Sequence, residues 1–270
     1  MKKLRTAASV VLAVVFVFST VMMLRQYFSD REAEETYSSA LELALRSRPD
    51  REETVPATEP AELVWVPAPL TEEDPYVQEL EQLDLSALRE VNPDVVGWIR
   101  IPDTKVDYPF LQGEDNDYYL NNTWDNRALG AGSIFLECTN SGDMTDFNTI
   151  MYGHNMRSGS MFASIRRYTD QNYWEAHPYV YILTDAGVWR YEVFAAYQAP
   201  VDSYTYGVSF NQQETKEYFL YFARKNSKIK TGITPAVTDR VLTLSTCSGA
   251  GYGNRWVVQA RLEMIQTEAQ

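Results

Sequence analysis

A run of 19 residues without a charged side chain, TAASVVLAVVFVFSTVMML from Thr6 to Leu24, constrains this chain more than any other feature. At 1.5 Å per helical residue it reaches about 28 Å, close to the roughly 30 Å hydrocarbon core of a bilayer. Its basic flank (Lys2, Lys3 and Arg5) lies on the amino-terminal side, the side that the positive-inside rule keeps in the cytoplasm. The sequence therefore predicts a cytoplasmic tail (1–5), a transmembrane signal-anchor (6–24) and an extracellular remainder. A cleaved signal peptide is the rival reading. Against it, the run exceeds the usual apolar region of such peptides, and VMMLRQYFSD holds no small-x-small cleavage site. No second apolar run of this length follows, so a single crossing is expected.

Charge and composition narrow what the exterior part can do. The chain holds 24 basic and 37 acidic side chains, and its first 28 residues hold four of the former and none of the latter. The rest thus carries a net charge of −17. Such a body repels nucleic acid and anionic membrane surfaces. Hydrophobic residues at 45% and charged residues at 23% place it among globular proteins rather than disordered ones. Two cysteines, Cys138 and Cys247, make no disulfide framework and no Cys-rich zinc site, and two histidines, His154 and His177, cannot fill a three-His metal site. No metal and no cofactor is expected.

Between anchor and body the reading is of a stalk, residues 25–74. Residues 30–54 are rich in Glu and Arg with a modest apolar stripe (Ala40, Leu41, Leu43, Ala44, Leu45), the pattern of a solvated helix. Residues 55–70 contain Pro56, Pro60, Pro67 and Pro69 and should be extended. The body is placed at 75–270. It opens with helical spacing at Val77, Leu80, Leu83, Leu85 and Leu88, which stops before Asn92-Pro93. Seven short β-type runs follow, at 95–101, 132–137, 148–153, 179–184, 188–197, 240–246 and 255–262, punctuated by Gly, Pro, Asn and Asp. One helix interrupts them at Asn211 to Lys225, with Tyr218, Phe219 and Phe222 as its apolar residues. Many short strands and few helices predict a mainly β domain, a barrel or a sandwich with helical decorations.

Cys247 ends the strand RVLTLST and precedes SGAGYGN, a seven-residue loop with three glycines. If the strands on either side of that loop pair as a hairpin, Arg255 returns beside Cys247. A guanidinium there favours a thiolate and can bind a developing oxyanion. From these residues alone a buried cysteine and a surface arginine is the alternative. A cysteine nucleophile also needs a proton-transfer partner, normally histidine. His154 follows NTIMYG and opens a polar, glycine-containing loop, a strand-end setting suited to that role. His177 lies next to Pro178 with no such loop and reads as structural. Serine-hydrolase, zincin, Walker A and dinucleotide motifs are absent. The acids Glu114, Asp115, Asp117 and Asp125 lack the spacing of a calcium loop.

At these residues the chain resembles the sortases, and within them class B. TLSTC ending at Cys247, with Arg255 on the next strand, is similar to the family's TLxTC…R signature, and MYGHNM around His154 is similar to its histidine motif. Residues 92–122 and the helix at 211–225 match the class B pattern, and the resemblance runs from about Leu80 to Leu262. It implies an eight-stranded β-barrel with an amino-terminal helix and a helix inserted before the cysteine strand. It further implies a cell-surface cysteine transpeptidase of Gram-positive bacteria. Such an enzyme cleaves a carboxy-terminal sorting motif of secreted proteins after threonine. It then passes the acyl group to an amine of a peptidoglycan cross-bridge or its lipid-linked precursor. Carried over by residue, Cys247 is the nucleophile, His154 the proton donor and Arg255 the oxyanion or substrate clamp. Asn116, Leu120 and Ser245 line the peptide groove by the same match. Cys138 departs from the pattern and reads as inert, with oxidative pairing to Cys247 left open. A pilus-polymerising sortase, a hydrolytic cysteine protease and a non-catalytic surface-binding module are the competing functions.

Overall fold

A computed structural model describes residues 2–46, 74–247 and 253–266, with side chains for 11–46, 74–246 and 253–263. The Pro-rich stretch at 55–70 and most of the loop after Cys247 lie outside these residues. The β-type runs become a closed barrel. Its strands are β1 (Val95–Arg100), β2 (Asp107–Leu111), β3 (Ile134–Leu136), β4 (Asn148–Tyr152), β5 (Tyr179–Thr184), β6 (Gly187–Pro200), β7 (Val241–Cys247) and β8 (Asn254–Gln266). Around the barrel the order is β1-β2-β3-β4-β7-β8-β6-β5, closed by β5 on β1. Two neighbouring pairs, β2–β3 and β4–β7, are parallel, and the others are antiparallel. β2 is the strand that the run-by-run reading did not find. It carries Pro109, which argues against a strand interior. Here Pro109 sits one residue ahead of the β2–β3 ladder, which starts at Phe110↔Ile134, so its missing N–H leaves that ladder intact.

The barrel is filled by Trp98, Phe110, Phe135 and Tyr191, none more than 1% exposed. β6 is apolar on both faces because a second cluster covers its outside. There Phe194, Ala195 and Tyr197 meet Phe219, Leu220 and Ala223 of the inserted helix, Gln213–Asn226. Of the apolar residues noted in that helix, Tyr218 is exposed. The opening helical pattern at 77–88 is two helices rather than one, Pro75–Glu81 and Leu85–Val91. Asp84 breaks it by capping the second helix, its carboxylate accepting from Ser86 N–H, as Asp74 does for the first. A 3₁₀ helix (Phe162–Thr169) and a short helix (Gln171–Ala176) follow β4.

The amino-terminal helix, α1 (Lys2–Arg46), is continuous. Its first part is the one described helix long and apolar enough to cross a membrane, with a mean hydropathy of 1.8 over an 18-residue window and no burial. Its last part departs from the solvated reading. Ala33, Thr36, Tyr37, Ala40 and Ala44 are buried, a stripe at helical spacing that packs on the body. Tyr37 donates its hydroxyl hydrogen to the Gly132 carbonyl, and Trp124 donates its indole N–H to the Thr36 carbonyl at 3.0 Å. Leu45, expected in the stripe, is exposed. The small side chains at 33, 40 and 44 let the helix approach closely, and they are also why the sequence pattern looked weak.

Candidate active site

The β4–β7–β8 ladder assembles the site at one end of the barrel. Cys247 and Arg255 are direct partners across the β7–β8 ladder, which is the hairpin register expected from the sequence. On the other side of β7, Tyr152 of β4 is paired in parallel with Ser245, and Gly153 N–H donates to the Ser245 carbonyl at 3.2 Å. Two residues further along both chains stand His154 and Cys247. Gly153 is needed at that point because a Cβ would lie 2.5 Å from Ile134 Cδ1 and 2.8 Å from Phe162 Cδ2. The chain after it is pinned by Phe162 N–H donating to the His154 carbonyl at 2.9 Å, and by an Asn155↔Met161 bridge.

The Leu120 carbonyl orients the His154 ring. Nε2 lies 2.7 Å from the Leu120 carbonyl, which can only accept, so Nε2 carries the proton. Nδ1 is then the nitrogen that gains or loses a proton as the imidazole titrates.

A groove of about 440 Å³ joins these residues. His154, Arg255, Ser245, Leu120 and Asn116 all line it, with Phe135, Tyr152, Val201 and Tyr206 supplying apolar wall. Five of the six residues singled out from the sequence therefore share one cleft, and the sixth, Cys247, follows the lining residue Thr246. The hydroxyls of Ser245 and Tyr206 are 2.9 Å apart, and Ser245 is buried beneath the tyrosine.

Glu137 is the site residue that sequence reasoning missed. Both of its carboxylate oxygens accept from Asn116 Nδ2 at 2.8 Å, and one accepts from the Tyr152 hydroxyl at 2.9 Å. Burial alone would raise its pKa. The hydrogen bonds from Asn116, Tyr152, Cys138 and Thr139 outweigh burial and hold the carboxyl below its usual range. Asn116 Oδ1 in turn accepts from Cys138 N–H at 2.8 Å. Asn116 is thus bound to the turn after β3, which only the folded chain brings to it.

His177 and Cys138 are not among the residues that line the groove. His177 Nδ1–H donates to the Pro102 carbonyl at 3.0 Å and its ring packs on Tyr173, away from the groove. Burial and the adjoining Glu137 carboxylate push the Cys138 thiol up. Glu137 N–H bonds to the Ile150 carbonyl, so Cys138 falls opposite Thr149, whose partner on β7 is Leu242. Cys247 is five residues further along β7, about 16 Å away along the strand, well beyond the roughly 7 Å that a disulfide allows between Cα atoms. Two of the acids that lack calcium-loop spacing are used locally: Asp115 accepts from the N–H groups of Asp117 and Tyr118, and Asp125 pairs with Arg127.

Comparison with known proteins gives one answer. The family model of the sortase domain matches residues 99–263. Sortase B of Listeria monocytogenes is 40% identical over 181 residues, covering 66% of this chain and 74% of the relative. Sortase B of Staphylococcus aureus is 32% identical over 173 residues, covering 64% and 71%. The crystal structure of sortase B from B. anthracis in complex with AAEK1 has a TM-score of 0.70 at 29% identity, covering 89% of this chain and 100% of that one.

Proposed function

Since the chain belongs to the sortase family, class B, and is a cysteine transpeptidase, we propose that it cleaves a carboxy-terminal sorting motif of secreted proteins after threonine and transfers the acyl group to an amine of peptidoglycan or its lipid-linked precursor. The observation that carries this reading is the placement of Cys247, Arg255 and His154 on three adjoining chain segments around one peptide-sized groove. The Cys247 thiolate attacks the carbonyl carbon after threonine, and the electron pair moves to the carbonyl oxygen. Arg255 stabilises that oxyanion. As the oxyanion collapses, the C–N bond breaks and imidazolium His154 gives its proton to the leaving amine, leaving a thioester on Cys247. The acceptor amine then attacks the thioester, neutral His154 takes its proton, and the thiolate is released with the new amide.

The Leu120 carbonyl supports both forms of the histidine by holding Nε2–H while Nδ1 changes state. Leu120, Ser245 and Asn116 form the groove wall, with Asn116 held in place by Glu137. The apolar part of α1 anchors the enzyme, with residues 1–5 cytoplasmic and the barrel outside. The functional body comprises 75–270 together with the buried stripe of α1.

The test is cleavage of a panel of fluorogenic peptides with threonine before the scissile bond, with mass spectrometry of the intact enzyme. Cys247→Ala should abolish cleavage and the acyl adduct. His154→Ala should lose about 10²–10⁴-fold, and Arg255→Lys, which keeps charge but loses the planar fork, about 10²–10³-fold. Added amine should divert the adduct to a new amide. Product that is only the hydrolysed acid would make the protein a protease instead.

A further inference from the structure

A second cleft, of about 670 Å³, begins at the residue after His154. Its walls are the β1–β2 turn, the loop Asn155–Gly159, the 3₁₀ helix and the short helix after it. Four cationic side chains line it, Lys105, Arg157, Arg166 and Arg167, against one acid, Asp103. That is four of the 20 basic residues beyond residue 28, gathered in a body of net charge −17. In so acidic a protein a guanidinium readily finds a carboxylate. Yet among the described residues Arg157, Arg166 and Arg167 join no ion pair. Lys105 is tethered instead, its Nζ donating to Glu34 of α1 and to the Ser158 carbonyl, both at 3.1 Å.

The lining also holds two hydroxyls. Those of Tyr173, which is 7% exposed, and Ser164 are buried, with no partner other than one another. The Arg167 guanidinium lies 4.3 Å over the Tyr173 ring.

We propose that this cleft is an anion site for a phosphate or diphosphate group. Guanidinium forks match the oxygens of such a group, and one phosphate carries about −1.5 to −2 at pH 7, which suits a lining with an excess of three positive charges. A carboxylate would leave most of the donors unused. Glu34 stands ten residues beyond Leu24, about 15 Å along the helix, so a phosphate near the membrane surface is within reach of the cleft. The loop Asn155–Gly159 walls this cleft and carries on from His154, so an occupied cleft stiffens the segment that holds the imidazole.

The site is independent of the transfer reaction, and its test does not use peptide cleavage. Full-length protein in phosphatidylcholine nanodiscs is titrated calorimetrically with inorganic pyrophosphate. One saturable site is expected, and the double variant Arg157→Gln/Arg166→Gln should bind at least tenfold more weakly. Both guanidiniums are exposed and outside any described ion pair, so its Tm without ligand should match the parent. The control Lys225→Gln/Lys228→Gln, on exposed residues elsewhere, should bind as the parent does. Pyrophosphate should also slow hydrogen exchange in residues 155–161. Repeating the titration with phosphatidylglycerol in the disc separates the sources. Weakened pyrophosphate binding assigns the site to lipid phosphodiesters, and unchanged binding assigns it to a free or terminal phosphate. Absence of saturation, equal affinity in the double variant, or the same response to a matched increment of NaCl overturns the proposal.

Discussion

Truncating Tyr37 to alanine decides whether the last turns of α1 are a spacer or a piece of the body. The side chain is 5% exposed, packs edge-on against Tyr108 with centroids 5.1 Å apart, and donates to the Gly132 carbonyl. A buried tyrosine removes roughly 150–250 Å² from water. At about 25 cal/mol/Å² that corresponds to about 4–6 kcal/mol, of which the alanine Cβ retains a small part. Aromatic-to-alanine changes in cores measure about 3–5 kcal/mol, so about 4 kcal/mol is expected here. The assay is urea unfolding of residues 29–270, which lacks the anchor but keeps the stripe. Tryptophan fluorescence is an apt probe, because the Trp124 indole is bonded to the Thr36 carbonyl of the same helix. With an m-value of about 2–3 kcal/mol/M, the midpoint should fall by roughly 1.3–2 M. Tyr37→Phe keeps the ring and loses the hydroxyl, so it should cost about 1 kcal/mol. Leu45→Ala, at a residue 49% exposed, should stay within about 0.5 kcal/mol. If Tyr37→Ala moves the midpoint no more than Leu45→Ala, the helix contributes nothing to the fold and the argument fails.

Three further outcomes follow from particular contacts. Glu137→Gln turns an acceptor oxygen into a donor facing Asn116 Nδ2, a mismatch worth about 1–3 kcal/mol at a half-buried site. Peptide cleavage should show a raised KM while the alkylation rate of Cys247 is unchanged, and an unaltered KM would remove Glu137 from the groove's support. Burial pushes the phenol of Tyr108 up to about 12, and those of Tyr119, Tyr152 and Tyr197 further. The unfolded chain, with phenols near 10, therefore loses protons first, so stability is whole below about pH 10 and declines as pH rises through 12. Urea midpoints at pH 8, 10 and 11 check this, and a flat series contradicts it. Cys138→Ser should leave cleavage intact, and in Cys247→Ala the remaining thiol should react slowly with iodoacetamide at neutral pH. Rapid labelling of Cys138 would show that burial and Glu137 do not suppress its thiolate.

Strand ends were legible in the sequence because they are marked by abrupt changes of chemistry. RVLTLST stopping at Cys247 before a glycine-rich loop, and NTIMYG stopping at His154, locate two of the proposed site residues, and the hairpin logic brings Arg255 back to the cysteine. Features that depend on the partner surface were not legible. Whether Ala33, Ala40 and Ala44 face water depends on Gly132, Trp124 and the helix Leu85–Val91, which the α1 sequence does not contain. Pro109 argues against β2 unless it is known where the β2–β3 ladder begins. The split of the first body helix was encoded in Asp84, but an aspartate amid leucine spacing reads as an exposed residue until its carboxylate is seen on Ser86 N–H.

Asn116 shows how folded contacts change a role carried over from a resemblance. By motif it belongs to the peptide groove, and it does line it. Yet its Nδ2 donates to the Glu137 carboxylate and its Oδ1 accepts from Cys138 N–H, so the carboxamide is committed to the turn after β3. Of its hydrogen-bonding capacity, one lone pair on Oδ1 and one Nδ2 hydrogen remain, because a single N–H is shared by both Glu137 oxygens. A peptide N–H can use that lone pair, and a peptide carbonyl that hydrogen, without displacing Glu137. Asn116→Asp therefore separates the two roles. It places a second carboxylate against Glu137 and leaves Oδ1 able to accept, so a groove that depends on the clamp should lose affinity as sharply as in Glu137→Gln. A groove that uses only the Oδ1 acceptor should keep its KM.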